Sequence, residues 1–304
     1  LRLGMPKITP GVKRVAALAI PGTIAASGMQ INIVVSQALA SFEEGAKSWL
    51  YSADRLYQLP LGLVGVAVGI AILPRLARAA RANDGADSQG VMDNGLGLAM
   101  ALTMPAAAAL MATPFLFVEG FFTRGDFTTE DALQTARALF HFGWGVPAFV
   151  LIKVLAPGFF AREDTRTPMN FSLISVVVNT ILGASLFFFL KSQGVAGFPG
   201  LAIATSTAAW VNAGLLFFTL QRRDWYTPGK RLIQRVVSVL FASAGLAALL
   251  IYLARMNAQI ANVTLDSKFL AALAIAAAGA LAYGVMAVAF GAIRLSDIKG
   301  ARRG

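Results

Sequence analysis

Four charged side chains fall more than three residues inside long apolar runs: Asp54, Arg55, Arg137 and Lys153. A charge in hydrocarbon is costly, so each is a candidate for function. The strongest group lies around Arg55. Ser48, Tyr51, Arg55 and Gln58 recur at spacings that put them on one face of a helix. Asp54 is turned about 100° from Arg55, but Gln58, four residues on, links it to the stripe. Pro60 then bends the helix just past this polar turn. One permanent cation in such a stripe suits an anionic ligand such as a phosphate, because a guanidinium forks onto phosphate oxygens. The competing reading is an Asp54–Arg55 ion pair that glues two helices. Ser27, Gln30 and Gln37 share a face of the preceding run, with Asn32 and Ser36 beside them. That face lines an aqueous cavity or bonds between helices. Arg137 is about two turns from the end of its run, within reach of headgroups. Lys153 is near the end of its own and can snorkel. With Ser27, Gln30 and Gln37, these two form a second rank of cavity-lining candidates. Asn179 with Ser172 and Ser175, and Thr205 with Asn212, repeat the polar pattern more weakly.

Other chemistries lack their parts. There are no cysteines and one histidine, His141, so a metal site has too few ligands. His141 sits among Phe140, Phe142 and Trp144 and reads as packed or interfacial. No GxSxG, HExxH or P-loop pattern occurs, which leaves hydrolase and ATPase readings without their essential residues. The expectation is no metal, no cofactor and no catalysis. Gly62, Gly65 and Gly69 read as close helix contacts rather than a phosphate cradle.

The elements that must position these residues follow from composition. Of 304 residues, 57% are hydrophobic and 13% charged, about half the charged share of a soluble domain. Mean hydropathy is +0.67. A spanning helix needs roughly 20 apolar residues. Eight runs qualify: Val15–Phe42, Trp49–Leu76, Gly95–Val118, Ala132–Pro157, Pro168–Leu190, Phe198–Leu220, Leu232–Leu253 and Phe269–Ile293. They are Ala/Leu-rich and lack period-two alternation, so they are helices rather than strands. The fold class is an all-α polytopic membrane protein. The connections are short, the longest being Ala77–Asn94. Thr128-Thr129-Glu130-Asp131 reads as a helix start with acids in its first turn. Prolines within the runs, Pro60 and Pro147 above all, predict kinks.

The net charge is +11. With the N-terminus inside, the cytoplasmic segments carry 18 of the 26 basic residues and the outer segments five. That asymmetry puts both ends in the cytoplasm. The basic residues are spread over five separate segments, which weighs against nucleic acid and leaves anionic membrane lipids as a second use for them. The chain opens on Leu1 with no signal peptide, and reads as the back part of a longer protein.

Three stretches resemble the MurJ (MviN) lipid II flippases, within the multidrug/oligosaccharidyl-lipid/polysaccharide exporter superfamily. The first runs from Ser48 through Trp49, Tyr51, Asp54, Arg55, Tyr57 and Gln58 to Pro60, then Gly62, Gly65 and Leu73-Pro74. The second is Lys153 to Pro168, and the third Asp126-Phe127-Thr128 with Asp131-Ala132-Leu133. The resemblance implies a fourteen-span transporter of two six-helix lobes and two extra helices. It implies that this chain is the second part: residues 1–221 the second lobe, 222–304 two added helices that form a groove for a polyprenyl tail. It implies translocation of lipid II, the undecaprenyl pyrophosphate-linked disaccharide peptide, from the cytoplasmic to the periplasmic leaflet of the bacterial inner membrane by alternating access. The partner is then a first lobe outside this chain. The rival within the superfamily exports another lipid-linked oligosaccharide or a drug. Ser48, Asp54 and Arg55 match cavity positions of the family, and Gln58 stands where relatives can carry an acid.

Overall fold

A computed structural model describes residues 23, 30, 32–82, 85–123, 125–260 and 268–291. Among them there is no strand. Residues 32–40 are helical, and the following helices are α1 (Ala46–Arg81), α2 (Gly85–Ala112), α3 (Pro114–Phe122), α4 (Thr129–Gly143), α5 (Val146–Phe160), α6 (Arg166–Ser192), α7 (Phe198–Arg222), α8 (Lys230–Ile260) and α9 (Lys268–Ala289). Six segments of the described residues are long and apolar enough to cross a bilayer: Gly85–Ala112, Thr129–Phe160, Arg166–Ser192, Phe198–Arg222, Lys230–Met256 and Phe269–Ala289. They correspond to six of the eight expected runs. Trp49–Leu76 is helical within α1, and most of Val15–Phe42 lies outside the described residues.

Three expectations are corrected. The connection Ala77–Asn94 is almost entirely helical, because α1 runs to Arg81 and α2 starts at Gly85. Leu76 and Ala79 on one side, and Ser88, Val91 and Met92 on the other, are buried at helical spacing and extend both helices. Pro60 and Pro74 sit inside α1 without ending it. The real breaks come where proline opens a new helix: at Thr113, before Pro114, and at Trp144–Gly145, before Pro147. At the second break the run Ala132–Pro157 becomes two helices. Gly62 does not make a close contact, since a Cβ there would meet open space.

The break at 144–145 is closed by α7. Ser206 Oγ donates to the His141 carbonyl at 2.7 Å, and Trp210 Nε1 donates to the Trp144 carbonyl at 3.0 Å. Carbonyls freed by a broken helix in hydrocarbon need such partners. A Cβ on Gly145 would collide with Ser206, so the glycine lets α7 approach closely enough to supply them.

One apolar cluster joins α1, α4, α6 and α7 through Leu50, Leu56, Tyr57, Leu139, Phe142, Phe187 and Phe198. Tyr57 packs on Phe142 and Phe149, with ring centroids 4.9 and 5.6 Å apart. A second joins the other ends of α1, α2, α5 and α7 through Ile72, Leu76, Met92, Leu155, Phe159 and Leu220. A third fastens α8 and α9 to α2 through Ala101, Val239, Leu246, Leu250 and Tyr283. Polar ties fix the ends. Thr128 and Asp131 form a capping box on α4, as the sequence predicts, and Asp131 Oδ1 also accepts from Trp49 Nε1 at 2.8 Å. Glu43 Oε2 accepts from the Gly197 and Phe198 backbone N–H groups, both at 3.0 Å. A carboxylate at that helix start is favoured by the dipole.

Candidate functional site: the polar face of α1

α1 has two faces. Ala46, Leu50, Ala53, Leu56 and Tyr57 are buried against the lobe. Ser48, Tyr51, Arg55, Gln58 and Leu59 are exposed, Tyr51 at 54% and Leu59 at 62%. The spacing that singles out the stripe is therefore the spacing of one open helix face. Arg55 Nη2 donates to Tyr51 Oη at 2.8 Å, and the guanidinium carbon lies 4.6 Å from the Tyr51 ring centroid. Asp54 is half-buried and accepts from Gln58 Nε2. Both contacts stay within α1. Among the described residues no carboxylate lies within ion-pair distance of Arg55, whereas Arg223 and Asp164 pair at 2.6 Å. An Asp54–Arg55 pair that glues two helices is not what forms.

Arg55 is nine residues beyond Ala46, which is about 14 Å along the helix. The uninterrupted apolar part of α1, Leu61 to Leu73, follows it. A guanidinium among acyl chains at the centre of a span would cost ~2.5–3.5 kcal/mol, which favours water or protein around this one. The face offers one exposed cation bonded to Tyr51, with an amide about one turn away at Gln58 and a hydroxyl about two turns away at Ser48. Such a surface can take up a phosphate oxyanion. Tyr51 is the member of the stripe that the sequence ranks too low; its i, i+4 spacing to Arg55 was the available signal.

The second-rank residues are not gathered around it. Arg137 is exposed on α4 and donates to Gln134 Oε1 at 3.2 Å. Lys153 is exposed at the middle of α5, so the break before Pro147 does not leave it at a helix end. Gln37 is exposed on the helical stretch 32–40, Gln30 is exposed ahead of it, and Ser27 lies outside the described residues. Asn179, Thr205 and Ser175 of the weaker polar set on α6 and α7 are interhelical glue, whereas Asn212 Oδ1 is buried without a hydrogen-bond partner. Asn179 Nδ2 donates to Thr205 Oγ1 at 3.4 Å, and Ser175 Oγ to the Ala208 carbonyl at 2.8 Å. His141 is half-buried, edge-on to Phe140. Among the described residues no group of three or more His, Cys, Asp or Glu is placed to hold a metal.

A second feature lies away from the stripe. A cavity of about 560 Å³ opens between α2 and α8, floored by Trp144, Pro147 and Trp210. Its lining is apolar apart from Ser243 and the two indole nitrogens.

At the end of α7 opposite Glu43, the α7–α8 connection is tied down twice. Asp164 accepts from the Thr167 side chain and backbone and pairs with Arg223. Burial works against ionisation of Asp164, but these donors outweigh it and hold its carboxyl below the usual range. Trp225 lies between Arg162 and Arg223, 4.9 and 4.8 Å from its ring. Tyr226, fully buried, donates to Asp93 Oδ1 at 2.6 Å, and the Gly229 N–H reaches Asp93 Oδ2 at 3.2 Å. Burial, with the Asp93 carboxylate beside it, pushes the Tyr226 phenol up, which keeps it a donor.

Comparison with known proteins places this architecture. A family model described as lipid II flippase MurJ matches residues 1–289. A probable lipid II flippase MurJ of Rhizobium meliloti is 40% identical over 311 residues, covering 99% of this chain and 57% of the relative. One from Rhizobium tropici is 42% identical over 251 residues, covering 83% and 46%. The chain thus spans about half the length of the curated relatives it matches. Among solved structures, one described as lipid II flippase MurJ in an inward closed conformation aligns with a TM-score of 0.71 at 22% identity, over 95% of this chain and 57% of that one. A MOP superfamily transporter from Pyrococcus furiosus aligns with a TM-score of 0.57 at 16% identity, over 81% and 57%. These structural likenesses carry the fold, and the family model and relatives carry the kinship: the chain is a multi-pass membrane protein that belongs to the lipid II flippase MurJ family.

Proposed function

We propose that this chain is the C-terminal portion of a lipid II flippase of the bacterial inner membrane. It carries undecaprenyl-linked peptidoglycan precursor from the cytoplasmic to the periplasmic leaflet by alternating access, and acts as a transporter rather than an enzyme. The observation that carries the reading is the open polar face of α1, with Arg55 exposed on it and no carboxylate in ion-pair distance among the described residues. A pyrophosphate on a bulky polar head cannot cross hydrocarbon bare, because each desolvated charge costs many kcal/mol. A wet cationic cavity lets the head cross while the tail stays in lipid. In this reading Ser48, Asp54, Arg55 and Gln58 meet the head group, with Ser27, Gln30, Gln37, Arg137 and Lys153 further along the cavity wall. A preceding lobe closes the cavity from the other side, to give fourteen spans, eight of them in this chain. Residues 1–221 form the second lobe, and residues 222–304 the tail groove, with both ends of the chain in the cytoplasm. No nucleotide motif is present, so the driving force is an ion gradient or the membrane potential, worth about 2.3 kcal/mol per charge per 100 mV.

The test is translocation by the full-length parent protein, reconstituted in vesicles without nucleotide. Labelled lipid II should become accessible on the opposite leaflet at a rate that responds to an imposed potential. Transport of another lipid-linked saccharide with no movement of lipid II would overturn the reading.

A further inference from the structure

The groove between α2 and α8 plays no part in the polar-stripe argument. α8 runs alongside α2 in the same sense, with Arg235 beside Gly97 at one end. Farther along, Met104, Ala107 and Met111 on α2 face Leu240, Ala244, Ala247 and Ile251 on α8 across the cavity. Ala107, Ala244 and Ala247 are too small to fill the space between the two helices. Leu240, Ile251 and Trp210 are 46%, 39% and 36% exposed, so the groove opens sideways toward the bilayer. Its floor of Trp144 and Trp210 lies about halfway along the spans Thr129–Phe160 and Phe198–Arg222.

Two observations select the occupant. The first is length. From Leu240 to Ile251 the helix rises about 16 Å, close to half of a ~30 Å hydrocarbon core. The groove therefore runs from one interface to the bilayer centre, the reach of an acyl chain from a single leaflet, and stops where a long polyprenyl tail would have to continue. The second is charge. Arg255 is exposed, one turn beyond Ile251. It is turned only about 20° from Ala244 and 40° from Ile251, so it stands over the mouth of the groove. Tyr252 beside it is 60% exposed, as an aromatic at the headgroup level should be. A guanidinium at that level pairs with a lipid phosphate.

We propose that the α2–α8 groove binds one acyl chain of an anionic phospholipid whose phosphate is held by Arg255. The lipid belongs to the leaflet at the C-terminal end of α8. It fills a gap that the protein's own side chains leave, and so supports the packing of α8 against α2. The proposal is independent of transport and of what the α1 face binds.

Bromine quenches tryptophan fluorescence on contact, and Trp144 and Trp210 form the floor. The full chain is reconstituted in phosphatidylcholine vesicles that contain either phosphatidylglycerol or phosphatidylcholine brominated near the ends of the acyl chains. Brominated phosphatidylglycerol should quench with about a fivefold preference over brominated phosphatidylcholine, the size expected for one basic residue and an anionic headgroup. Arg255→Gln should reduce that preference to about one. Ala247→Phe, which fills the groove, should weaken quenching by both lipids. Equal quenching by the two lipids in the unmodified chain overturns the proposal without recourse to any variant. So does a preference that survives Arg255→Gln, quenching that Ala247→Phe leaves intact, or protection from both lipids, which would mean that another protein segment covers the groove.

Discussion

Replacing Arg55 by methionine separates a functional cation from a structural one. In the structure the side chain makes one hydrogen bond, to Tyr51 Oη, and one cation–π contact with the same ring. Their loss costs about 1 kcal/mol for the bond and about 0.5–1 kcal/mol for the exposed ring contact. Against this stands the relief of removing a guanidinium from a helix of a membrane protein, at most ~2.5–3.5 kcal/mol in lipid and less where the face is wet or nearer the interface. The fold should therefore keep its stability or gain a little. Substrate binding should suffer. A forked, charge-assisted contact with phosphate is worth about 1.5–3 kcal/mol, which is about 10- to 150-fold in affinity. Arg55→Lys should fall between, because it keeps the charge and loses the fork. The assays are thermal unfolding in detergent and lipid II binding and flipping by the full-length protein carrying each variant. A melting temperature several degrees lower, with binding and flipping unchanged, would refute the reasoning and make Arg55 a packing residue.

Three further outcomes test the surrounding structure. Gly145→Ala should destabilise by about 1–3 kcal/mol through overpacking against Ser206, and Ser206→Ala by about 1–3 kcal/mol by orphaning the His141 carbonyl; the double variant should unfold at a temperature above that given by adding the two losses, and strict additivity would disprove the contact. Tyr226→Phe removes a bond to the Asp93 carboxylate, worth about 1.5–3 kcal/mol, and should raise the rate of protease cleavage in the 223–229 connection; an unchanged rate would mean that the connection is held by other contacts. Asp164 has its pKa depressed in the fold from 3.8, so its stabilisation is present at higher pH and is lost as pH falls below about 4 through the folded value. The difference in melting temperature between the unmodified protein and Asp164→Asn should accordingly be constant from neutral pH to mildly acid pH and narrow only below that; narrowing nearer neutrality would contradict the depressed value.

What was legible in the sequence is what repeats locally. The Thr128–Asp131 cap, the open stripe through Arg55 and six of the spans depend on spacings of three and four residues or on continuous apolar length, and each of these can be read from neighbours in the chain. What was missed joins residues far apart in sequence: Trp49 with Asp131, Glu43 with the start of α7, Tyr226 with Asp93. Each is a polar side chain that would read as an ordinary interfacial residue until the fold delivers its partner. The break before Pro147 was half legible. Proline announced a kink, but the complete interruption rests on Ser206 and Trp210, some sixty residues away, taking over the freed carbonyls.

Hydropathy misleads in a more basic way, because here the solvent is itself apolar. Arg166–Ser192, Lys230–Met256 and Phe269–Ala289 are the three most apolar spans and also the three least buried in protein. On α6 the outward residues are Ile174, Val177 and Ile181, while Asn179, Gly183 and Phe187 turn inward. In water the apolar face would be the inner one. In lipid nothing drives a leucine off the surface, and helices associate through small residues, close backbone approach and hydrogen bonds. The cue for the interior of this protein is therefore the polar or small residue in an apolar run. Applied to α1, the same cue cannot tell an interhelical bond from a wet cavity wall, since both place Ser, Gln and Arg on one face. The distinction comes from where the bonds go. On α6 and α7 bonds cross between helices, and on α1 those of Arg55 and Asp54 stay on the helix, the pattern expected of an open wall rather than of interhelical glue.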